Sequence, residues 1–181
     1  MIVIEKAKPE DAQGIQGVFH ETWLATYPNK EVGITKEDIE EHFKNAFTEE
    51  ALRSFGERIK NAPPNMLLLI ARDDKKIVGV CRVFVREKVN QLQAIYILPT
   101  YQQRGIGRLF WNEILGFFDK NKEIIIQVAT YNKGAIIFYE HLGFVDTGKR
   151  FTEERHRMPL SGVLIPEMEM RIKNTPQREV V

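Results

Sequence analysis

Ala94-Ile95-Tyr96-Ile97-Leu98-Pro99-Thr100-Tyr101-Gln102-Gln103-Arg104-Gly105-Ile106-Gly107-Arg108 reads as a strand that ends, loops and opens directly into a helix. Before the loop, Leu92, Ala94, Tyr96 and Leu98 alternate with Gln91, Gln93, Ile95 and Ile97, the period of a strand, and Pro99 closes it. After the loop, Ile106, Phe110, Ile114 and Phe117 recur at helical spacing, with Gly107, Trp111 and Leu115 on the neighbouring row. Both glycines fall where that helix begins. The first amides of a helix have no intrahelical acceptor and sit at the positive end of its dipole, so a loop bare of side chains lets an anion reach several donors at once. Arg104 and Arg108 add formal charge. The stretch is a candidate phosphate cradle, most naturally for a diphosphate, and a tight turn with close packing is the alternative. It is not a Walker loop, because no Gly-Lys-Ser/Thr follows, and it lacks the third glycine and the acid-terminated strand of a dinucleotide fingerprint.

Upstream, residues 66–72 form a nearly continuous apolar run that turns at Asp73-Asp74-Lys75 into a second strand over residues 76–86. Gly79 within that strand predicts a bulge or a close backbone approach. A second turn at residues 88–90 leads into the strand at 91–98, so three strands form an antiparallel meander. Downstream, a helix of about 15 residues leads to Ile124-Ile125-Ile126, whose lack of alternation predicts a strand over 123–129 covered on both faces and parallel to 91–98. Asn132 then caps a helix with the stripe Ala135, Phe138, Tyr139 and Leu142, ended by Gly143. Residues 144–151 and 168–173 read as the last two strands. Met168, Met170 and Ile172 alternate with charged neighbours, and a polar link over 152–166 joins the pair.

At the other end, residues 1–7 form a short strand, and Pro9 opens a helix carrying Ala12, Ile15, Val18 and Phe19, which exits through Trp23 and Tyr27. Thr35 with Asp38 resembles a capping box for a helix bearing Ile39, Phe43, Ala46 and Phe47. Thr48 recaps a continuation that Pro63-Pro64 forbids to go further.

The chain has 181 residues, 43% hydrophobic and 28% charged, which suits one ordinary globular domain able to bury a core unaided. A formal net charge of +1 gives no global pull toward nucleic acid or anionic membrane, so any attraction for anions must be local. No apolar run approaches the roughly 20 residues that span a bilayer, and Glu5 and Lys6 argue against a signal peptide, so a cytoplasmic protein is expected. The single cysteine, Cys81, lies in an apolar run and reads as packing. The expected organisation is one domain over residues 1–173 and a polar tail over 174–181.

Together the order of elements and two motifs resemble the GCN5-related N-acetyltransferase (GNAT) family over nearly the whole chain. Gln102-Gln103-Arg104-Gly105-Ile106-Gly107 matches the family's Gln/Arg-x-x-Gly-x-Gly/Ala motif. Asn132 to Ala135 with Phe138-Tyr139-Glu140-His141-Leu142-Gly143-Phe144 looks like its second signature. The resemblance implies a mixed α/β fold, mostly antiparallel, of about seven strands with helices on both faces and a central parallel pair that splays apart after residues 98 and 129. It also implies an N-acetyltransferase that moves the acetyl group of acetyl-CoA directly to a primary amine of a small molecule or peptide. Gln103, Arg104, Gly105, Ile106, Gly107 and Arg108 would hold the diphosphate, and Ile95, Tyr96 and Ile97 would offer backbone groups to the pantetheine arm. Asn132 would line that arm, and Tyr139 would give the leaving thiolate its proton. By helical geometry Asn132 and Tyr139 share one face, roughly 10 Å apart along the axis; a cap and the polar tip of a packing stripe are the alternative readings.

The family's glutamate base cannot be carried over, because Gln91, Gln93 and Gln127 stand at the relevant strands. Glu21, Glu153, Glu154 and His156 are the other candidates. Those glutamines keep open a catalytically idle acetyl-CoA-binding sensor or subunit, and a nucleotide-binding protein is a further alternative. Trp23 and Tyr27, core aromatics or substrate contacts, would with the 152–166 link suit a cationic amine, a polyamine or peptide N-terminus among them. No metal, nucleic acid or membrane partner is expected, and a homodimer is left open.

Overall fold

The computed structural model describes residues 1–173. Its elements run β1 (Ile2–Lys6), a one-turn 3-10 helix at Pro9–Asp11, α1 (Ala12–Thr26), α2 (Lys36–Phe43), α3 (Glu49–Lys60), β2 (Met66–Asp73), β3 (Lys76–Val85) and β4 (Asn90–Ile97). They continue with α4 (Ile106–Leu115), β5 (Ile124–Ala129), α5 (Lys133–His141), β6 (Val145–Phe151) and β7 (Glu167–Ile172). The seven strands make one sheet in the order β1-β2-β3-β4-β5-β7-β6, antiparallel throughout except between β4 and β5. The expected polar tail, 174–181, lies outside the described residues.

Local chemistry accounts for the boundaries. Thr35 caps α2 by accepting from the Asp38 amide, and Asp38 returns the bond to Thr35 N, a complete capping box with Asp in the reciprocal position. Thr48 caps α3 through the Ala51 amide. Three expectations need adjusting. The helix after the glycine loop has 10 residues, because it stops at Gly116 and the chain turns through Phe117 and Phe118. The helix begun at Thr35 stops at Phe43, which leaves Ala46 and Phe47 in the turn before α3. β5 is not covered evenly, since Ile125 and Gln127 are only half-buried.

Both readings of Gly79 hold. The β2–β3 register shifts between Ala71 and Arg72, and a Cβ at Gly79 would lie 3.0 Å from the Phe110 ring of α4. Adjacent residues of a strand face opposite ways. Gly79 therefore faces α4, while Val80 and its cross-strand partner Tyr96 face α1, whose Phe19 ring stands edge-on to Tyr96 at 5.6 Å. Helices thus cover both faces, and Arg82, two residues past Val80, shares the α1 face.

The parallel pair is short. Asn90, Gln91 and Leu92 align with Ile124, Ile125 and Ile126, and there the ladder ends. It parts at Gln93, earlier than the expected separation after residues 98 and 129, and the cause lies on both neighbours. Gln93 is bulged out of the β3–β4 register between Arg82 and Val83, while β5 stays bound to β7 along its whole length. The closed end is clamped by Asn90, fully buried, whose amide donates to the carbonyls of Asp119 (2.8 Å) and Lys122 (3.2 Å) and whose oxygen accepts from Asp119 N (3.0 Å).

Candidate active site

The parted strands open a cleft of 1070 Å³ that runs from the start of α4 to the end of α1. Trp23, Tyr27, Ile95, Tyr96, Ile97, Gln103, Gly105, Ile106, Gly107, Arg108, Asn132 and Tyr139 all line it. Arg104 does not, its guanidinium lying 4.8 Å over the Tyr101 ring.

At one end the loop is shaped by backbone. Gln103 and Gly105 both have positive φ, 60° and 81°, and Gly105 caps α4 from the left-handed region. The Gly105 carbonyl accepts from the amides of Arg108 (3.0 Å) and Leu109 (3.1 Å), so the helix-start amides before them are left without an intrahelical acceptor. The Gln102 side chain ties the loop back to the Ile97 carbonyl at 3.1 Å. Gly107 also serves packing, since a Cβ there would stand 2.8 Å from the Phe138 ring. The cradle and close-packing readings of the two glycines are therefore compatible, each glycine meeting a different demand. Asn132 is engaged as the α5 cap, accepting from Ala135 N at 3.2 Å.

Tyr139 sits between the two ends. Its ring packs edge-on against Phe138 and Phe144, and only 4% of the residue is exposed. Its hydroxyl makes no hydrogen bond among the described residues. Burial, with Cys81 and Tyr96 nearby, pushes its pKa well above that of an ordinary tyrosine, so it stays protonated across the physiological range. Cys81 is fully buried and its thiol is pushed up likewise, as packing requires.

Side chains build the other end. The Tyr27 and Tyr96 hydroxyls are hydrogen-bonded at 3.1 Å, and Tyr131 donates to the Tyr27 carbonyl at 3.0 Å. Burial raises all three phenols, Tyr131 to about 12, and the Glu167 carboxylate adds to each. Trp23 stacks on His42 at 4.8 Å and meets His156 edge-on at 6.3 Å. Burial, then His156, lowers the His42 pKa.

Of the four candidate bases only His156 lines the cleft. Glu153 is paired with Arg155, Glu154 with Arg157, and Glu21 is exposed. His156 Nδ1 lies 3.0 Å from Glu167 Oε2. Glu167 was not foreseen. Its place among the charged residues alternating with the β7 methionines suggests solvent exposure, yet the 152–166 link covers it and it is 6% exposed. Glu153, His156 and Glu167 bring one ligand atom each within 4.8 Å, but among the described residues their donors are already engaged with Arg155 and with each other.

The model of the acetyltransferase (GNAT) domain matches residues 23–159. An uncharacterized N-acetyltransferase of Methanocaldococcus jannaschii is 34% identical over 61 residues, which are 33% of this chain and 27% of that protein, so the chain matches little more than a quarter of the relative's length. Among solved structures, the PaiA N-acetyltransferase of Thermoplasma acidophilum, in complex with coenzyme A, superposes with a TM-score of 0.67 at 22% identity, covering 96% of this chain and 99% of that one. A Salmonella typhimurium protein solved with its cofactor acetyl-CoA gives 0.61 at 13% identity, covering 99% and 96%. No helix among the described residues is long and apolar enough to cross a membrane.

Proposed function

Because this chain belongs to the GNAT acetyltransferase family, we propose that it transfers the acetyl group of acetyl-CoA directly to a primary amine of a small molecule or peptide. The carrying observation is the hydroxyl of the buried Tyr139, protonated and without a hydrogen bond among the described residues, in one cleft with the helix-start amides of α4. Those amides, with Arg108, suit the cofactor's diphosphate. Past Leu92 the edge of β4 is unpaired with β5, so the backbone of Ile95, Tyr96 and Ile97 is open to the extended pantetheine arm as an added strand.

In the transfer the amine nitrogen bonds to the thioester carbonyl carbon, whose oxygen takes up negative charge that an oriented backbone N–H of β4 would stabilise. The nitrogen loses a proton to His156, held by Glu167. The carbon–sulfur bond then breaks, and the departing thiolate receives the Tyr139 proton. The His156–Glu167 pair supplies the base that Gln91, Gln93 and Gln127 lack, which favours an enzyme over an idle binding module. Residues 1–173 act as one domain in this reading, and cytoplasm, rich in acetyl-CoA and amines, suits it.

The test is thiol release from acetyl-CoA in the presence of amino acids, polyamines, aminoglycosides and peptides, beside thermal shift with acetyl-CoA, ATP and NAD. Turnover with an amine and stabilisation by acetyl-CoA are expected. Stabilisation by ATP or NAD with none by acetyl-CoA would overturn the reading.

A further inference from the structure

Two guanidinium groups of the sheet are held in opposite ways. Arg72 of β2 meets the carboxylates of Glu5 at 2.6 Å and Asp11 at 2.7 Å. Arg82 of β3 has neither a hydrogen bond nor an ion pair among the described residues, and its Nε is buried without a partner. Arg82 stands on the α1 face between the main cleft and a second cavity of 710 Å³ against α3, and it lines both. The charged side chains that act on it are Arg155 and Arg58, both cations, with the Tyr96 phenol beside them. A guanidinium does not give up its proton to escape burial. A cation drawn partly out of water with no counter-charge is costly, and the fold supplies carboxylates to Arg72 but none to the half-buried Arg82.

Another unpartnered atom lines the same cleft. Gln93, the bulged residue of β4, buries its Oε1 without a donor and also lines the cleft. Across from it Arg155 holds Gln127 Oε1 at 3.3 Å and lines the cleft as well. The pocket's carboxylate, Glu167, lies instead toward Tyr27, Tyr96 and Tyr131. The acceptor end is thus polarised, with the uncompensated guanidinium of Arg82 on one wall, where Arg155 is already paired with Glu153, and a cation-tolerant wall of Glu167 and aromatic rings.

We propose that the acceptor is a small zwitterion of the amino-acid class, whose carboxylate is taken by the planar fork of Arg82 while its amine lies toward His156 and Glu167. This deepens the transferase reading and rests on it. Gln93 Oε1 takes one N–H of the acceptor, which orients the nitrogen. A polyamine would set a further cation against the uncompensated Arg82, so the cationic amine suggested by Trp23 and Tyr27 is the less suited substrate.

The experiment is calorimetric titration of the protein, with and without CoA, using proteinogenic L-amino acids, their carboxamides and spermidine. At least one amino acid should bind, its carboxamide roughly ten- to a hundredfold more weakly, because the charge-assisted pair is lost. Arg82→Gln should abolish that discrimination and leave CoA affinity unchanged. With no ligand bound the variant should melt no lower than the parent, since the substitution removes a half-buried charge that has no counter-ion; a merely structural arginine would lower the melting temperature. Arg82→Lys should restore binding only in part, having no fork. Equal affinity for acids and carboxamides, tighter binding of spermidine, no binding by any amino acid, or a destabilised Arg82→Gln would each overturn the proposal. Failure of the unmodified protein to bind CoA would instead remove the transferase reading, whereas CoA binding with a spermidine preference would remove this one alone.

Discussion

The two ends of the cleft are made of different material. The α4 end is a strand–loop–helix contiguous in sequence that lines the cleft and is shaped by backbone, with two positive φ values and a helix start. The far end is side chain: Trp23, Tyr27, His42, Arg82, His156 and Glu167 come from α1, α2, β3, the 152–166 link and β7. In the proposed reading a backbone end would take whatever offers a phosphate in the right place and would hardly depend on neighbouring residue identity. In the same reading a side-chain end would set which acceptor is admitted, and could be rebuilt without touching the other.

The largest effect should come where the two ends meet. Tyr139→Phe keeps the ring between Phe138 and Phe144 and removes only the hydroxyl, so acetyl-CoA affinity should hold while kcat falls roughly a hundred- to a thousandfold. Single-turnover kinetics beside a direct acetyl-CoA titration would separate the two quantities, and an unchanged kcat would reduce Tyr139 to packing. Next comes the side-chain end. Glu167→Gln leaves His156 without its carboxylate and should cost about tenfold to a hundredfold in kcat, partly restored by Glu167→Asp. Groups acting as a unit are non-additive, so His156→Ala and the double variant should be about equally impaired. Multiplying losses would show that the two residues act separately.

The same contrast explains what could be read from sequence. The loop over 102–108 was legible because glycine position, helix start and strand end are all local, and the resemblance to GNAT proteins rested on it together with the Asn132–Phe144 motif and the order of elements. The sheet followed from alternation and turns. Glu167 was missed because its burial depends on a link that folds over it, and one side of a strand looks solvent-facing when its cover lies far off in sequence. Arg82 was passed over for a related reason. Within β3 it reads as an ordinary polar interruption, and only the fold shows that no carboxylate reaches it.

At the backbone end the two glycines should behave differently. Gly107→Ala places a methyl 2.8 Å from the Phe138 ring and should cost about 1–3 kcal/mol through overpacking. Thermal unfolding would register this as a fall of several degrees, relieved by adding Phe138→Leu. Gly105→Ala meets nothing within 4 Å and should cost about 1 kcal/mol for holding a side chain at φ 81°, with no rescue from Phe138→Leu. No relief of Gly107→Ala by Phe138→Leu would show that the Phe138 ring is not what makes Gly107 necessary.

The smallest effect tests how the side-chain end is held together. Asp38, fully buried, accepts from Thr35 N at 3.0 Å and Thr35 Oγ1 at 3.1 Å within its capping box, and from Leu160 N at 3.2 Å and Ser161 N at 2.8 Å across the chain. It therefore ties α2, which carries His42, to the link that carries His156. Burial alone would raise its pKa, but the bonds from Ser161 and Thr35 prevail and lower it from 3.8 to about 2. A folded pKa below the unfolded one means that the charge-dependent stability is fully present above about pH 4 and fades as pH falls toward 2. Asp38→Asn keeps one acceptor oxygen and should cost about 1 kcal/mol at neutral pH. Its melting temperature should lie below the parent's there and approach it as the pH falls through 2, where the parent's carboxyl is itself taking up a proton. A gap that persisted in acid would show that the carboxylate charge is not what holds the link. At neutral pH the loosened link should raise the KM for the amine and leave that for acetyl-CoA unchanged, because the backbone end of the cleft owes nothing to Asp38.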